Sequence, residues 1–298
     1  MEVCLHSLRT VAASMAMVTL AVSSAQAVEG NSIIYPNGFE NFGAGIVPPP
    51  GTYYLNNTEY YTARRMNDGA GNNAIPGFGL NALVNASRVI QSWDLPVLGG
   101  NLFSQIIVPL VYLNVNVPGR AQNRAGIGNV TLTPAGVAWH FGDLHVATAV
   151  DVNLPPPAWN KNWLANLGHN YFQFEPVLAV TYARPGGIEA SVKAMYDFNT
   201  ENTSTNYLSG QTAHVDFALG YNVWDTLKVG AVGYYLTQTT ADSGSGAAGA
   251  NRTEALAIGP GMTFMYKGLF FWANWQHEVM AHNHTQGDAL WLKVGLRF

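Results

Sequence analysis

The chain has 298 residues, of which 11% are charged, with 14 Lys and Arg set against 18 Asp and Glu. A net charge of -4 gives no basis for binding nucleic acid or acidic lipid, and a single cysteine, Cys4, excludes a disulfide scaffold and a cysteine metal site. The chain is nonetheless rich in Gly (31), Tyr (14), Phe (13) and Trp (8), and its mean hydropathy is +0.05.

Residues 1–27 read as an export signal: Arg9, an apolar stretch from Val11 to Val22, then "SSAQA" with Ala25 and Ala27 in the A-x-A arrangement. Cys4 lies within it, so the remainder has no thiol. Residues 28–50 are rich in Gly, Asn and Pro and end in "PPPG". They read as an irregular segment, either a periplasmic lead-in or a plug. No later window is long and apolar enough for a spanning helix. A membrane β-barrel reconciles a greasy composition with this absence, because alternating strands average out in hydropathy.

From residue 51 the chain offers about twelve strands, at 51–67, 77–93, 99–117, 127–141, 143–154, 168–183, 187–199, 206–223, 226–240, 252–266, 268–279 and 288–298. Successive side chains of a strand point to opposite faces. Over 144–154 the outward set is Leu144, Val146, Thr148, Val150, Val152 and Leu154, and the inward set is His145, Ala147, Ala149, Asp151 and Asn153. Stretches 172–182 and 213–223 alternate in the same way. Long polar links such as "PGRAQNRAGI", "PPPAWNKNWLANL" and "MAHNHTQGD" follow the odd strands, and short ones such as "FGD", "ARPGG" and "KG" follow the even strands. Outer-membrane barrels sort their connections in this way and use an even strand count. The fold expected is therefore all-β, a transmembrane antiparallel up-and-down barrel over 51–298 in the bacterial outer membrane. Trp93, Trp139, Tyr182, Tyr221, Trp224, Tyr266 and Trp291 stand near strand ends, as interfacial girdles do.

The last ten residues, "ALWLKVGLRF", put Leu290, Leu292, Val294, Leu296 and Phe298 on one face and Trp291, Lys293, Gly295 and Arg297 on the other. Such a strand closes the barrel against the first one. Phe298 reads as the determinant that the barrel assembly machinery recognises.

A search for chemistry returns no catalytic constellation, so no enzyme and no cofactor are expected. There is no G-x-S-x-G. "HEVMAHNH" (His277, Glu278, His282, His284) lacks the H-E-x-x-H spacing that sets two imidazoles on one helical face, and it reads as a solvated external loop rather than a metal site. The one polar constellation is internal. With "ARPGG" as a turn, Glu175 falls within diagonal reach of Lys193. Asp151 then lies beside Glu175, and His214 or Asp216 beside Lys193. This row is a candidate constriction, or a set of lumen charges paired for neutrality. Tyr112, Asn114, Asn116, His145 and Gln173 are further lumen candidates.

Four stretches, "GIGNVTLTPAGVAWHFGDLH" (126–145), "NLGHNYFQFEPVLAVTY" (166–182), "VGAVGYYLTQTTADSGSG" (229–246) and "IGPGMTFMYKG" (258–268), resemble the outer-membrane family associated with the meta-pathway of phenol degradation. The likeness runs over roughly 45–298. It implies a barrel in outer-membrane lipid with a transport role toward aromatic or other hydrophobic compounds, and it brings no functional residues with it. The functional expectation is passive passage of a small hydrophobic solute. The alternative is a closed structural or adhesive barrel.

Overall fold

The computed structural model describes residues 33–247 and 252–298; the expected export signal lies outside them. Thirteen β-segments form one sheet: β1 (Gly51–Met66), β2 (Gly79–Val97), β3 (Gly100–Val117), β4 (Arg120–Ile127), β5 (Val130–Phe141), β6 (Leu144–Leu154), β7 (Gln173–Ala183), β8 (Ile188–Asn199), β9 (Thr212–Trp224), β10 (Leu227–Gln238), β11 (Glu254–Tyr266), β12 (Leu269–His282) and β13 (Thr285–Arg297). Each pairs antiparallel with its neighbours, and β13 returns to β1, from Tyr53↔Arg297 to Met66↔Thr285, so the sheet closes. β4 and β5 both pair with β3 and are two halves of one interrupted strand. The result is a closed barrel of twelve strands.

Alternation explains the wall. In β7 the outward Phe174, Leu178 and Tyr182 are exposed, while Gln173, Glu175, Val177, Ala179 and Thr181 are buried inside. β6, β9 and β13 follow the same rule. β1 and β2 depart from it. Their outer faces carry Tyr54, Asn56, Thr58, Asn85 and Ser87, and these polar groups bond to one another, with Asn56 and Asn85 exchanging amide hydrogen bonds at 3.0 Å in both directions. Mutual pairing is what allows amides on an outer wall, since an unpaired one in hydrocarbon is costly.

One end of the barrel has short turns, at 98–99, 142–143, 184–187, 225–226 and 267–268. The other end holds the long connections 67–78, 155–172, 200–211 and 239–253, but two expected long loops are absent. "PGRAQNRAGI" is a hairpin in which Pro118 and Gly119 (φ +77°) make the turn and β4 follows at once. "MAHNHTQGD" is likewise strand on both sides of Asn283–His284. The physical reason is that these polar residues find partners along the strand. β4 has a sheet partner on one edge only, and the β6–β7 loop lies on the other. Gln122 Oε1 accepts the Leu164 and Ala165 N–H groups at 2.7 and 2.9 Å, and the Arg124 guanidinium stands 3.2 Å over the Trp163 ring. The interruption itself is stitched by Asn129, which accepts from His169 N–H and donates to Leu154 O and His169 O. Opposite it stands Pro109, which accepts the Gly128 N–H on its carbonyl at 3.0 Å but has no N–H to offer a ladder.

Of the expected girdle residues, Trp93, Tyr182, Tyr221, Trp224 and Tyr266 are exposed on the outer wall toward the short-turn end. Trp291 is not among them. It is 1% exposed and points inward, because it shares the parity of Lys293 and Gly295.

The outward position of Leu178 near the middle of β7 predicts that Leu178→Arg lowers folding stability by about 2–4 kcal/mol. Reversible unfolding in phospholipid vesicles measures this, with Tyr182→Arg at the rim costing much less.

Candidate functional site

Residues 33–50 run inside the barrel, and Asp216 on β9 holds them there. Its carboxylate accepts three hydrogen bonds, from Tyr35 Oη–H at 2.7 Å, Gly38 N–H at 2.8 Å and Glu40 N–H at 2.9 Å. Further along, Gly43 N–H donates to Glu189 Oε1 at 2.6 Å and Gly45 N–H to Thr181 Oγ1 at 2.9 Å. Gly38 has φ +77°, and a Cβ there would lie 2.0 Å from Gln276 Oε1. Only glycine makes this turn against β12.

The segment brings one charge and two rings to the centre of the lumen. Glu40 pairs with Arg88 of β2 at 2.5 Å, and Arg88 Nε–H also donates to Gln105 Oε1. Burial by itself would raise the Glu40 carboxyl, but Arg88, Lys293 and Lys193 outweigh it and hold it at about 2, so Glu40 is ionised at ordinary pH. Phe39 meets Trp291 edge-on, with centroids 5.6 Å apart, and Lys293 Nζ lies 4.8 Å from the Phe39 centroid. Lys193 Nζ lies 4.3 Å from that of Tyr35.

Two cavities flank this centre. One, of about 240 Å³, opens toward the long-loop end and is lined by Ile107, Val111, Leu113 and Leu167 among others. The other, of about 1000 Å³, reaches the short-turn end past Ile90, Phe103, Ala179 and Trp272. Glu40, Arg88, Gln105, Asp151 and Lys193 line both, so they form the divider.

The expected constriction row is only partly as its spacing suggested. Asp151 faces Glu175, and Lys193 faces Asp216. Lys193 does not face Glu175. The pairs Phe174↔Phe198 and Val177↔Met195 set Asp197 against Glu175, and Lys193 lies two inward positions away, opposite Ala179. A row of Asp151, Glu175, Asp197 and His214 results. His214 Nε2 is 3.2 Å from Asp197 Oδ1 and 3.5 Å from Glu175 Oε2. These three donors lie within 4.8 Å of one another, close enough for a proton or a divalent cation to bridge them.

Other expectations need correction. Tyr112, Asn114 and Asn116 point away from the lumen. They share the outer face of β3 with the exposed Ile106 and Leu110, while Val111 points inward to the smaller cavity and Leu113 and Val115 point inward into the cluster of Phe78 and Ala165. The barrel interior is apolar at this level, so the rule of polar residues inward is reversed. His145 faces inward but lies at the short-turn rim beside His140, 2.7 Å away. Gln173 is fully buried above the row, bonded to Asn153 and Asn199. "HEVMAHNH" is strand up to the tight turn at Asn283–His284 rather than a long loop, and its groups part except for His284, whose Nδ1 lies 3.6 Å from Glu278 Oε1. His277 pairs with Asp288 and His282 with Glu254, while Glu278 turns inward to accept from Tyr61, Tyr234 and Gly287. Reasoning from sequence passed over Glu40, Arg88, Asp197 and Lys293 as site residues. The available signal was their isolation, each being a lone charge within an apolar or aromatic stretch.

A family model described as "Putative MetA-pathway of phenol degradation" matches residues 63–294. The chain belongs to this family. Its barrel is similar to that of an outer membrane channel from Pseudomonas putida F1 (TM-score 0.76, 14% identity, 86% of this chain and 98% of that one). It is also similar to the β domain of the Bordetella autotransporter BrkA (TM-score 0.54, 10% identity, 84% and 100%). A third neighbour is the transport unit of the autotransporter AIDA-I from Escherichia coli (TM-score 0.51, 8% identity, 86% and 95%). No curated protein matches the sequence. The family match and the closed barrel place this member in the bacterial outer membrane, its outer wall in lipid.

Gly38→Ala should strain the turn by about 1–3 kcal/mol beyond the overlap with Gln276, loosening the segment. Higher single-channel conductance with unchanged heat-modifiable migration is the expected result.

Proposed function

We propose that this phenol-degradation family member is a passive outer-membrane channel for small hydrophobic solutes, aromatic compounds among them. The observation that carries this reading is the pair of cavities with largely apolar walls, separated by a thin polar divider. The larger has room for a drug-sized ligand. Its fold likeness to an outer membrane channel and its family's tie to phenol degradation support the reading. A solute would be held weakly by Ile107, Val111 and Leu113, then by Phe103, Ile90 and Trp272. Conduction needs contacts strong enough to admit a solute and weak enough to release it.

The interrupted wall offers a way in from the side. The smaller cavity is lined by Pro109, Val111, Gly128, Asn129 and Leu167, where β5 begins and the β6–β7 loop covers β4. A solute dissolved in the membrane would reach the lumen by lifting this loop, without crossing water. The competing reading, a closed structural barrel, has in its favour the segment 33–50 that fills the centre.

The test is uptake of phenylnaphthylamine, a hydrophobic dye that a lipopolysaccharide leaflet excludes, by cells producing the protein. Uptake above that of cells lacking it is expected. A Gln122→Cys/Ala165→Cys variant bridged by a short bis-maleimide should slow it. Undiminished uptake in the bridged variant leaves only the axial route, and no uptake by either protein leaves the structural reading.

We also infer that Phe298 acts in assembly. It is 78% exposed and continues the outward Leu292, Val294 and Leu296, while its N–H bonds Thr52 O and so extends the closing pair. Deleting Phe298 should lower the yield of heat-modifiable barrel in outer-membrane fractions without changing the stability of barrel refolded in vitro.

A further inference from the structure

Two ammonium groups in the lumen have no anion of their own. Lys193 and Lys293 are 7% and 5% exposed, and among the described residues neither enters an ion pair; the cations that do are Arg88 and Lys228 and several histidines. Their near neighbours are rings, Tyr35 for one and Phe39 and Trp291 for the other. The nearby carboxylates are engaged elsewhere. Asp216 holds the three donors of the inner segment. Asp151 takes the Thr133 hydroxyl. Glu175 and Asp197 flank His214. Both lysines line the larger cavity, with Arg88 beside them. A buried cation without a partner is costly, and two of them facing an apolar space describe a site for an anion with an apolar body.

The chain already shows what kind of anion. Glu40 lies among these cations, bonded to Arg88, with Lys293 and Lys193 as its other electrostatic neighbours. At the divider and its edge, Arg88, Lys193 and Lys293 stand against Glu40, Asp151 and Asp216, which is neutral. If the Glu40 carboxylate left, a single positive charge would remain, and one monoanion would restore balance. A guanidinium also matches a carboxylate in plane and spacing.

We infer that this site recognises an amphipathic monoanion, a carboxylate on an aryl or alkyl body, whose head is bound by Lys193 and Lys293 and competes with Glu40 for Arg88 while its body fills the larger cavity. This rests on the channel reading and names its solute class. It also makes cargo and inner segment rivals. A bound head replaces the Glu40–Arg88 tie and leaves residues 33–50 held by Asp216 alone at that level. A dianionic phosphate head suits the site less well, since Asp151 and Asp216 remain beside it.

The test is calorimetric binding of para-butylbenzoate and of its neutral amide to the full-length protein refolded in a nonionic detergent. The acid should bind about tenfold or more tightly than the amide, the factor that one charge-assisted hydrogen bond commands. Lys193→Met/Lys293→Met should bring the two together. Glu40→Gln should tighten the acid and leave the amide unchanged, a gain that damage to the fold does not produce. Heat-modifiable migration checks that each variant is a closed barrel. Equal binding of acid and amide by the unaltered protein, or no gain in Glu40→Gln, overturns the inference. Tighter binding of a butylphenyl phosphate overturns the monoanion assignment. If dye uptake is intact when acid and amide bind alike, the channel reading stands and only the carboxylate falls; if dye uptake is absent too, both fall.

Discussion

A sheet in hydrocarbon can leave no backbone donor or acceptor open, because lipid offers none in return and each open group costs several kcal/mol. The pairing of β13 with β1 meets this demand, and the rest of the architecture follows from it. Once the wall is closed and its outer face is apolar, polar side chains are left with the lumen or with one another. The charged network of the interior and the amide ladder on β1 and β2 are two answers to the same constraint. Among the described residues closure is incomplete at the free edge of β4, which is covered by a loop whose backbone and side chains bond to it.

A twelve-strand lumen is narrow, so its charges cannot be hydrated one by one and must be matched. Asp216 performs this for the inner segment, converting three donors, each worth about 1.5–3 kcal/mol to a charged acceptor, into a fixed position for Phe39 and Glu40. Glu40 in turn neutralises Arg88. The segment thus plugs the barrel through polar bonds to its wall and through two aromatic contacts, and it leaves an apolar cavity on either side. Closure and binding are properties of the same few residues, which is why a competing anion would act on both.

The His214 cluster belongs to a different level of the interior. Asp151, Glu175 and Asp197 face one another across three successive strands, His214 of the fourth reaches Asp197 diagonally from its place opposite Met195, and their proximity depends on register alone. Shifting β8 by four residues would put Lys193 where Asp197 now stands and exchange an acidic row for a paired one, with no change in which side chains face inward.

How much was legible follows from the range of each interaction. Alternation is local, with a period of two, and it pointed to the barrel class, to about twelve strands and to the faces of β6, β7, β9 and β13 from the chain alone; the structure decided the exact count. The parity of Lys293 and Trp291 was equally readable, although Trp291 also looked like a girdle residue. Tertiary structure alone decided that Asp197 rather than Lys193 faces Glu175, because register is a relation between strands and one strand carries no record of it. It decided that Asn114 and Asn116 face outward, because the lumen at that height is filled by Phe78, Leu113 and Ala165, and apolar groups prefer one another to the rim. It decided that residues 33–50 lie within the barrel, because the bonds that hold them reach to Asp216, Glu189 and Arg88, between about fifty and 180 positions away in sequence.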